Sequence, residues 1–581
     1  YTAPKDAEAL YYLGVALKAR GETAAAFDAF SRAAWSAQWR DASHYSLAEL
    51  STLRGDLTAA LRHLRRSLES NARNLRALTL EASVLRHLGR RDEARRALAT
   101  ARRHTDPLDV RTMTEEWLLT DDSNAAQTLM AGLRAHPATG LESAVEYMNA
   151  GLWSDAAALL DVMIEVVPAG VGALPLVHYY RGFVADRQGD HAAAARHFQT
   201  AAVQPSDYVF PFQHEAIAIL RRAMEVQPRD ARARYYLGNL LYDWQPEEAI
   251  RLWSESAALD SSLAVVHRNL ALAWSRQGDD VSLARAIASM EMAVSLTDQY
   301  PIHFFELDRL YEAAGRPPAQ RLAMLERHAT SVLRRDDATS RLVSLKTFMG
   351  EPGEAIELLT GRVFDIWEGG ARFNPGDAWT DAHVQRGRQR LAAGAYREAL
   401  ADFETALRFP ANLRAERPEG AAPRQAEVAY WRGVAHEVLG DTARAREAWH
   451  EAATLELRLA RSSGARLSAT GGVQLYHQAL ALRALGHEER SVAIFRELRR
   501  TGEQLLARSS PSIGYFSSFG ERQSQRARLA SAHYLTGLGH RGLGDEERAR
   551  DRFRQALEAR PDHLGAKNAL DDDSPRVPHR E

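Results

Sequence analysis

The chain has 581 residues, 45% of them hydrophobic and 26% charged, and a formal net charge of −2. These proportions are those of a folded protein and exclude wholesale disorder, and so even a balance argues against a dedicated nucleic-acid binder, which carries a basic excess. Cysteine is absent, which excludes disulfides, thiolate metal sites and a cysteine nucleophile.

The chain opens on Tyr1 and not on methionine, so it is expected to be processed, trimmed or a fragment. A cysteine-free chain fits a reducing compartment, and a cytoplasmic location is expected. From there the sequence repeats. Gly14, Ala48 and Ala82 are 34 residues apart, and so are Gly21, Gly55 and Gly89. Ala26, Ala60 and Ala94 keep the same spacing, as do Phe30, Leu64 and Leu98, then Ala33, Ser67 and Ala101. That period, with small residues at these places, is the signature of the tetratricopeptide repeat (TPR), two antiparallel helices per unit. The first small residue lets helix A lie close to helix B. The glycine ends helix A, because a left-handed cap needs a residue without Cβ. The large residue fills the space between units, and a proline stops helix B.

The first units carry Tyr11, Tyr12, Trp35, Trp39, His44 and Tyr45. Trp35 and Trp39 are spaced for one helical face. They either line a groove for a peptide or a neighbouring domain, or pack between helix B and the next helix A. Asn71, Asn74 and, further on, Asn239 are candidates to bind extended peptide backbone. A lysine-based carboxylate clamp is disfavoured, because lysine occurs only at Lys5, Lys18, Lys346 and Lys567.

A degenerate unit holding Trp117 follows at Thr105–Ala135. The repeat returns at Gly151, Ala156, Leu160 and Pro168, then at Gly182, Gly189, Ala194, Phe198 and Ala201. The apolar stretch Val166–Val177 is short and holds Pro168 and Pro175, so no membrane span is expected. Gln204–Glu215 (QPSDYVFPFQHE) interrupts the pattern. Gly238, Leu241, Trp253 and Ala257 restore it, one residue short at Gln245–Pro246, and Ala271, Trp274 and Gly278 continue it with an insertion before Met290. Looser units follow at Leu307–Gly315 and Gly350–Leu359.

Thr360–Asp381 breaks the pattern again. It brings Phe364, Trp367, Phe373 and Trp379 near Glu368, Asp377 and Asp381, with Gly369 and Gly370 permitting unusual backbone angles. Rings beside carboxylates suit sugar binding, by stacking on C–H faces and accepting hydroxyl protons. The same rings equally suit a plug between two halves of a solenoid. Further units follow at Gly387–Ala406, Gly433–Ala452, Ala479–Leu498 and Gly537–Pro561, with an interruption at Leu505–Gln523. The string GLGHRG at Gly537–Gly542 satisfies a dinucleotide pattern, but the repeat places Gly537 inside a helix, where that fingerprint does not work. No Walker A motif and no H-E-x-x-H occurs, and the histidines lack metal-ligand spacing. No metal and no cofactor are therefore expected. Asp571–Asp573 is a solvated tail.

The fold expected is all-α, a TPR-type α-solenoid: a right-handed superhelix of helix–turn–helix repeats with irregular loop interruptions and a concave surface lined mainly by A helices. Its expected sections are N-terminal units over 1–135, central units over 136–360, the aromatic interruption over 361–379, C-terminal units over 380–565 and a polar tail over 566–581.

Several segments add a resemblance. They are AALRHLRRSLESNARNLRA (Ala59–Ala77), YYLGNLLYD (Tyr235–Asp243), VFDIWEGG (Val363–Gly370), ALRFPANL (Ala406–Leu413), YFSSF (Tyr515–Phe519) and YLTGLGHRGLG (Tyr534–Gly544). In order and spacing the chain resembles the C-terminal region of a bacterial family that begins with a galactose-mutarotase-like β-sandwich domain of unknown function and continues into TPR units. That family usually has an acidic residue after WEGG, where this chain has Ala371 and Arg372. The resemblance implies an upstream sandwich domain and a link to carbohydrate.

The function expected is a non-catalytic scaffold or docking module, its partner a protein or an upstream β-sandwich domain, with carbohydrate as a further candidate and neither nucleic acid nor membrane as partner. Trp367, Glu368, Phe373, Trp379, Trp35, Trp39, Asn71, Asn74 and Asn239 are the candidate contacts. The alternative is a TPR portion that completes the active site of a sugar-processing enzyme. Trp367 would then stack on a sugar ring and Glu368 would orient a hydroxyl or serve in acid–base work.

Overall fold

The computed structural model describes residues 7–104, 109–120, 122–168, 172–365, 374–415, 424–455, 469–507 and 525–571. Among the described residues the regular elements are all helical, as the repeat predicts: the chain is an all-α, TPR-type solenoid. Two compact units divide it, Tyr1–Val266 and His267–Glu581.

In the first unit the hairpins are α1 (Ala7–Ala19) with α2 (Thr23–Ala33), α3 (Arg40–Leu53) with α4 (Leu57–Ser70), and α5 (Leu75–His87) with α6 (Arg91–His104). Next come α7 (Val110–Thr120) with α8 (Ser123–Ala135), α9 (Pro137–Asn149) with α10 (Trp153–Val166), and α11 (Leu174–Arg187) with α12 (His191–Val203). The helix α13 (Glu215–Val226) intervenes before α14 (Ala231–Leu241) with α15 (Pro246–Leu259). The division between units falls inside α16 (Ala264–Ser275), which pairs with α17 (Asp280–Leu296).

The second unit continues with α18 (Pro301–Ala313) and α19 (Pro318–Arg327), the short α20 (Ala329–Val332), then α21 (Asp336–Met349) with α22 (Pro352–Thr360). The later pairs are α23 (Pro375–Ala392) with α24 (Tyr396–Thr405), α25 (Gln425–Val438) with α26 (Thr442–Thr454), α27 (Ala469–Ala484) with α28 (Glu488–Leu506), and α29 (Gln525–Gly542) with α30 (Glu546–Ala559). A last helix, α31 (Leu564–Leu570), follows.

A two-residue device joins the helices of many hairpins. Gly55 and Gly440 take φ of 79° and 81°, the left-handed region that stops the first helix. The next residue is the N-cap of the second helix. Asp56 accepts from the Ala59 amide at 2.8 Å and Asp441 from the Arg444 amide at 3.1 Å. Gly189–Asp190 and Gly544–Asp545 repeat the arrangement.

The helices cross where one of them has no side chain. A Cβ on Gly182 would lie 2.7 Å from the Phe198 ring, and one on Gly387 would lie 2.5 Å from the Phe403 ring. Gly14 meets Phe30, Gly537 meets Phe553, and Gly238 and Gly433 meet Trp253 and Trp449. Where the sequence has alanine at this place, as at Ala48 and Ala82, the opposing residue is a buried leucine, Leu64 or Leu98. Ring size and the missing Cβ are therefore matched.

First and second helices of the hairpins differ in burial. In α3 every residue from Ser43 to Thr52 is buried, whereas α4 buries only Ala60, Leu61, Leu64 and Ser67. In most hairpins the first helix is the more deeply buried, and it is called the inner one, although α1 buries fewer residues than α2 and α9 and α10 bury equally. Ion pairs link neighbouring hairpins. In the first unit Arg86 of α5 reaches Glu115 of α7 at 3.1 Å and Asp155 of α10 at 2.8 Å, and Arg111 of α7 reaches Glu146 of α9 at 3.1 Å. Tyr147 adds a 2.7 Å hydrogen bond to Glu115.

The interruptions resolve differently. Thr105–Ala135 contributes an ordinary hairpin, α7 with α8. Gln204–His214 stays irregular. Asp377, Trp379 and Asp381, expected in a loop, sit on α23 because that helix already starts at Pro375.

We expect Gly182→Ala to lower stability by about 1–3 kcal/mol, the usual cost of overpacking. Adding Phe198→Leu to that variant should recover part of the loss, because it recreates the Ala48–Leu64 pairing. Urea unfolding of the two single variants and the double variant measures the coupling.

Candidate partner-binding surface

The sequence-predicted residues scatter. Trp367, Glu368 and Phe373 lie outside the described residues. Trp35 and Trp39 do not share a helical face. α2 ends at Ala33 and Trp39 is the residue preceding α3, so both sit in the connection between hairpins. Trp35 is exposed. Trp39 is half-buried and stacks on Tyr11 with ring centroids 4.9 Å apart.

The asparagines are engaged locally. Asn74 caps α5, accepting from the Ala77 amide at 3.1 Å. Asn71 ends α4 and donates to Asp41 at 2.8 Å. Asn239 accepts from the Trp253 indole at 3.1 Å. Trp379 is buried, and its indole donates to the Thr405 carbonyl at 3.1 Å. With Phe364, Val343, Leu359 and Leu413 it forms one apolar cluster, the placement expected of a plug.

Gln204–His214 is different. Along it burial alternates. Tyr208, Phe210 and Phe212 are 77%, 67% and 56% exposed, while Val209 and Pro211 are buried. Alternation of this kind is what an extended chain produces on a surface. The inward residues anchor it: Val209 packs into the protein, and the Gln213 carboxamide accepts from the buried Tyr180 hydroxyl at 2.7 Å. At its start Tyr208 takes φ of 58°, rare for an aromatic residue. A Cβ on Gly172 would strike the Tyr208 carbonyl, so the two loops can meet only through a glycine. Three rings thus stand outward on a strip fixed from below. Nothing in the sequence separates inward from outward here, because every residue from Tyr208 to Phe212 is apolar or aromatic.

The degenerate unit also opens a cleft of about 390 Å³ between α6, α7 and α8. Leu98, Met113 and Leu119 line it together with Arg95, Arg102 and Glu116.

Charged groups gather on the inner helices of the second unit. Asp377 and Asp381 lie one turn apart on α23. Burial, and then the Asp381 charge, push the Asp377 carboxyl up. Arg424 pairs with both Asp381 and Glu427. Burial opposes ionisation of Glu427, yet Arg424 and His477 pull its carboxyl down to about 2. Three further glutamates, Glu326, Glu351 and Glu354, converge closely enough to hold a cation. The Lys346 ammonium already occupies their centre, at 2.6, 3.1 and 2.7 Å.

Two histidine pairs recur at one place in the repeat. His44 and His63 face each other Nδ1 to Nδ1 at 3.2 Å, and His178 and His197 do so at 3.3 Å. In each pair one ring donates and the other accepts. At the equivalent place in α23 and α24, His383 meets Asp402 at 2.9 Å.

No helix among the described residues is long and apolar enough to cross a membrane. Two family models described as tetratricopeptide repeat match the chain, over residues 54–109 and 8–36. Among solved structures the chain is similar to the TPR domain of P58(IPK), at 16% identity and a TM-score of 0.20, over 75% of this chain and 99% of that one. It is similar to a chain of the APC/C hetero-tetramer Cut9-Hcn1 at 11% identity and a TM-score of 0.24, over 90% and 94% of the two chains. It is also similar to YrrB, described as a TPR protein with an unusual peptide-binding site, at 15% identity and a TM-score of 0.17, over 41% and 95%.

The histidine pairs set a pH dependence. Burial, followed by the facing ring's charge, lowers His44 and His178 to about 4. A histidine whose folded pKa is lowered contributes stability that is complete above its ordinary value, about 6.5. That contribution is lost as pH falls toward 4. Thermal melts should therefore show Tm dropping between pH 6.5 and 4, with a shallower drop in a His44→Gln/His178→Gln variant.

Proposed function

We propose that this chain is a non-catalytic TPR scaffold that docks a protein partner, and that the strip from Tyr208 to Phe212 is its anchoring contact. The observation that carries this reading is the strip itself: three large rings held outward while their neighbours fasten the backbone. Aromatic residues that bury on association supply most of the energy of a protein interface. A fixed strip also loses little freedom on binding, which favours affinity. The TPR repeats support the general class, since stacked helical pairs present extended surfaces to other proteins. The resemblance carried by IWEGG and SLESNARN points to a larger bacterial, carbohydrate-related protein, with an upstream β-sandwich domain as the partner in cis.

The test is a variant with Tyr208, Phe210 and Phe212 all changed to alanine. It should lose partner binding by tenfold or more in a pull-down followed by titration. Its unfolding midpoint should stay within about 0.5 kcal/mol of the parent, because exposed side chains contribute little to folding. Unchanged binding would remove the strip from the interface.

One observation favours a second reading, completion of a sugar-processing active site. Asp377 stands one turn from Asp381, which shares Arg424 with the buried Glu427, and burial, then the Asp381 charge, push the Asp377 carboxyl up, the direction a general acid needs. Asp377 and the candidate Glu368 belong to the same interruption of the repeat. If the reading holds, Glu368→Gln and Asp377→Asn should each lower turnover of the assembled protein at least a hundredfold, within the range of general acid–base catalysis. Normal turnover with normal assembly leaves the scaffold reading alone.

A further inference from the structure

The last helix has two sets of neighbours. Ala566 and Ala569 of α31 pack with Tyr534, Leu538, Phe553 and Ala556 of α29 and α30. The same segment also meets inner helices from the other end of the unit. Asp562, just before α31, accepts from Arg321 of α19 at 2.8 Å. Arg388 of α23 points at the Asn568 carbonyl at 3.4 Å, and the Lys567 ammonium sits 5.8 Å from the centre of the Phe348 ring of α21. Arg541 of α29 donates to the Ala569 carbonyl at 2.6 Å. Arg560 reaches Glu312 of α18 at 3.1 Å.

The charges explain why this place needs an acid. Arg321 is 1% exposed and also pairs with the fully buried Asp308. Arg341 shares Asp308 and Glu312. Three guanidiniums, on Arg321, Arg341 and Arg560, thus face three carboxylates, on Asp308, Glu312 and Asp562. Without Asp562 the buried Arg321 loses one of its partners and the cluster carries an unbalanced positive charge, which a buried site tolerates poorly. Burial opposes ionisation of Asp562, yet Arg560 and Arg321 hold its carboxyl well below the usual range.

The place is also shaped for small residues. A Cβ on Gly565 would lie 2.6 Å from the Tyr534 ring and hydroxyl, so glycine is required there. The segment itself is a weak helix. Its 7 residues are far below the roughly 12–15 at which an isolated helix becomes even marginally stable. It is helical because the place holds it so.

We propose that the inner face of the second unit is a binding slot for a short helical peptide led by an acidic residue, and that Asp562–Leu570 occupies it in cis as an exchangeable ligand. The slot reads the carboxylate with Arg321 and the small face, Gly565, Ala566 and Ala569, with Tyr534 and its apolar neighbours. It reads the helix end with Arg388 and Arg541 on backbone carbonyls. A partner helix with an acid three residues before a glycine, and alanines on the following turn, would displace the chain's own segment. This goes beyond the docking strip: it is a separate site, in the other unit, and it is closed until exchange occurs.

The test uses the full chain and a fluorescent peptide of residues Pro561–Asp571. An Asp562→Asn/Gly565→Val variant removes the carboxylate and drives a side chain into Tyr534, which empties the slot. The variant should bind the peptide saturably and at least tenfold more tightly than the parent chain does. A peptide carrying Asp562→Asn should bind at least tenfold more weakly. Equal binding by the two chains, or equal binding of the two peptides, overturns the proposal. Should the variant lose its helical circular dichroism, hydrogen exchange on the parent chain decides. The α31 amides should exchange at least tenfold faster than those of α29, and faster still with excess unlabelled peptide. Protection equal to that of α29, or indifference to the peptide, overturns it.

Discussion

Many hairpins of this chain depend on one crossing, where glycine on one helix lets a ring from its neighbour lie across it, or alanine does the same for a leucine. Glycine in mid-helix costs roughly 1 kcal/mol relative to alanine. Burying a phenylalanine or tryptophan side chain offsets that cost. The pairing holds at most crossings, although Ala479 stands at this place beside the Phe495 ring. Gly182, Gly387 and Gly433 face Phe198, Phe403 and Trp449, while Ala48 and Ala82 face leucines. Crossing distance is thereby set hairpin by hairpin. The stacking of one hairpin on the next follows from it, because each outer helix is presented at a fixed height above its inner partner.

Close crossings bring the inner helices near one another, and this decides where binding is possible. Several acidic side chains at the helix contacts are buried among their partners. Glu115 takes bonds from Ser83, Arg86 and Tyr147, and Asp402 from His383, Arg386 and Arg390. Burial alone would disfavour the Asp402 charge, yet these partners hold its carboxyl below the ordinary range. Such pairs add little net stability compared with apolar packing, but removing one partner leaves a charge stranded. They fix which inner helix meets which. An inner face used in this way offers a ligand only the places where the pairing is completed by a removable element, and α31 is the element with that character. The outward strip at Tyr208–Phe212 avoids the problem altogether, since it stands on a connection.

The fold was legible because its determinants are local and periodic. Spacings of 34 residues among Gly14, Ala48 and Ala82 mark crossings directly, and Gly21, Gly55 and Gly89 mark the ends of first helices. The surface was less legible, for three separate reasons. Trp35 and Trp39 read as one helical face, but α2 ends at Ala33 and the spacing loses its meaning beyond a helix end. Asn71 and Asn74 read as peptide binders, although side chains of this kind at helix boundaries satisfy free backbone amides first. In Tyr208–Phe212 the inward and outward residues have the same polarity, so no alternation appears in the sequence. Contacts such as Arg321 with Asp562, 241 residues apart, leave no local trace at all.

The same crossing explains where the chain could grow. Within many hairpins the turn is a left-handed glycine, followed by a capping aspartate at Gly440–Asp441 between α25 and α26. Lengthening it would let the two helices slide and lift the ring from its glycine. Between hairpins no such device occurs among the described residues. In the second unit the long connections precede α23, α25, α27 and α29, each of them an inner helix. The aromatic interruption that carries Trp367 and Glu368 is the first of them. The strip at Tyr208–Phe212, although in the other unit, likewise joins one hairpin to the helix that follows it. Specific contacts can therefore be added at inter-hairpin connections without disturbing a single Gly–ring crossing, which is why a repeat with so rigid an interior can still carry a distinctive surface.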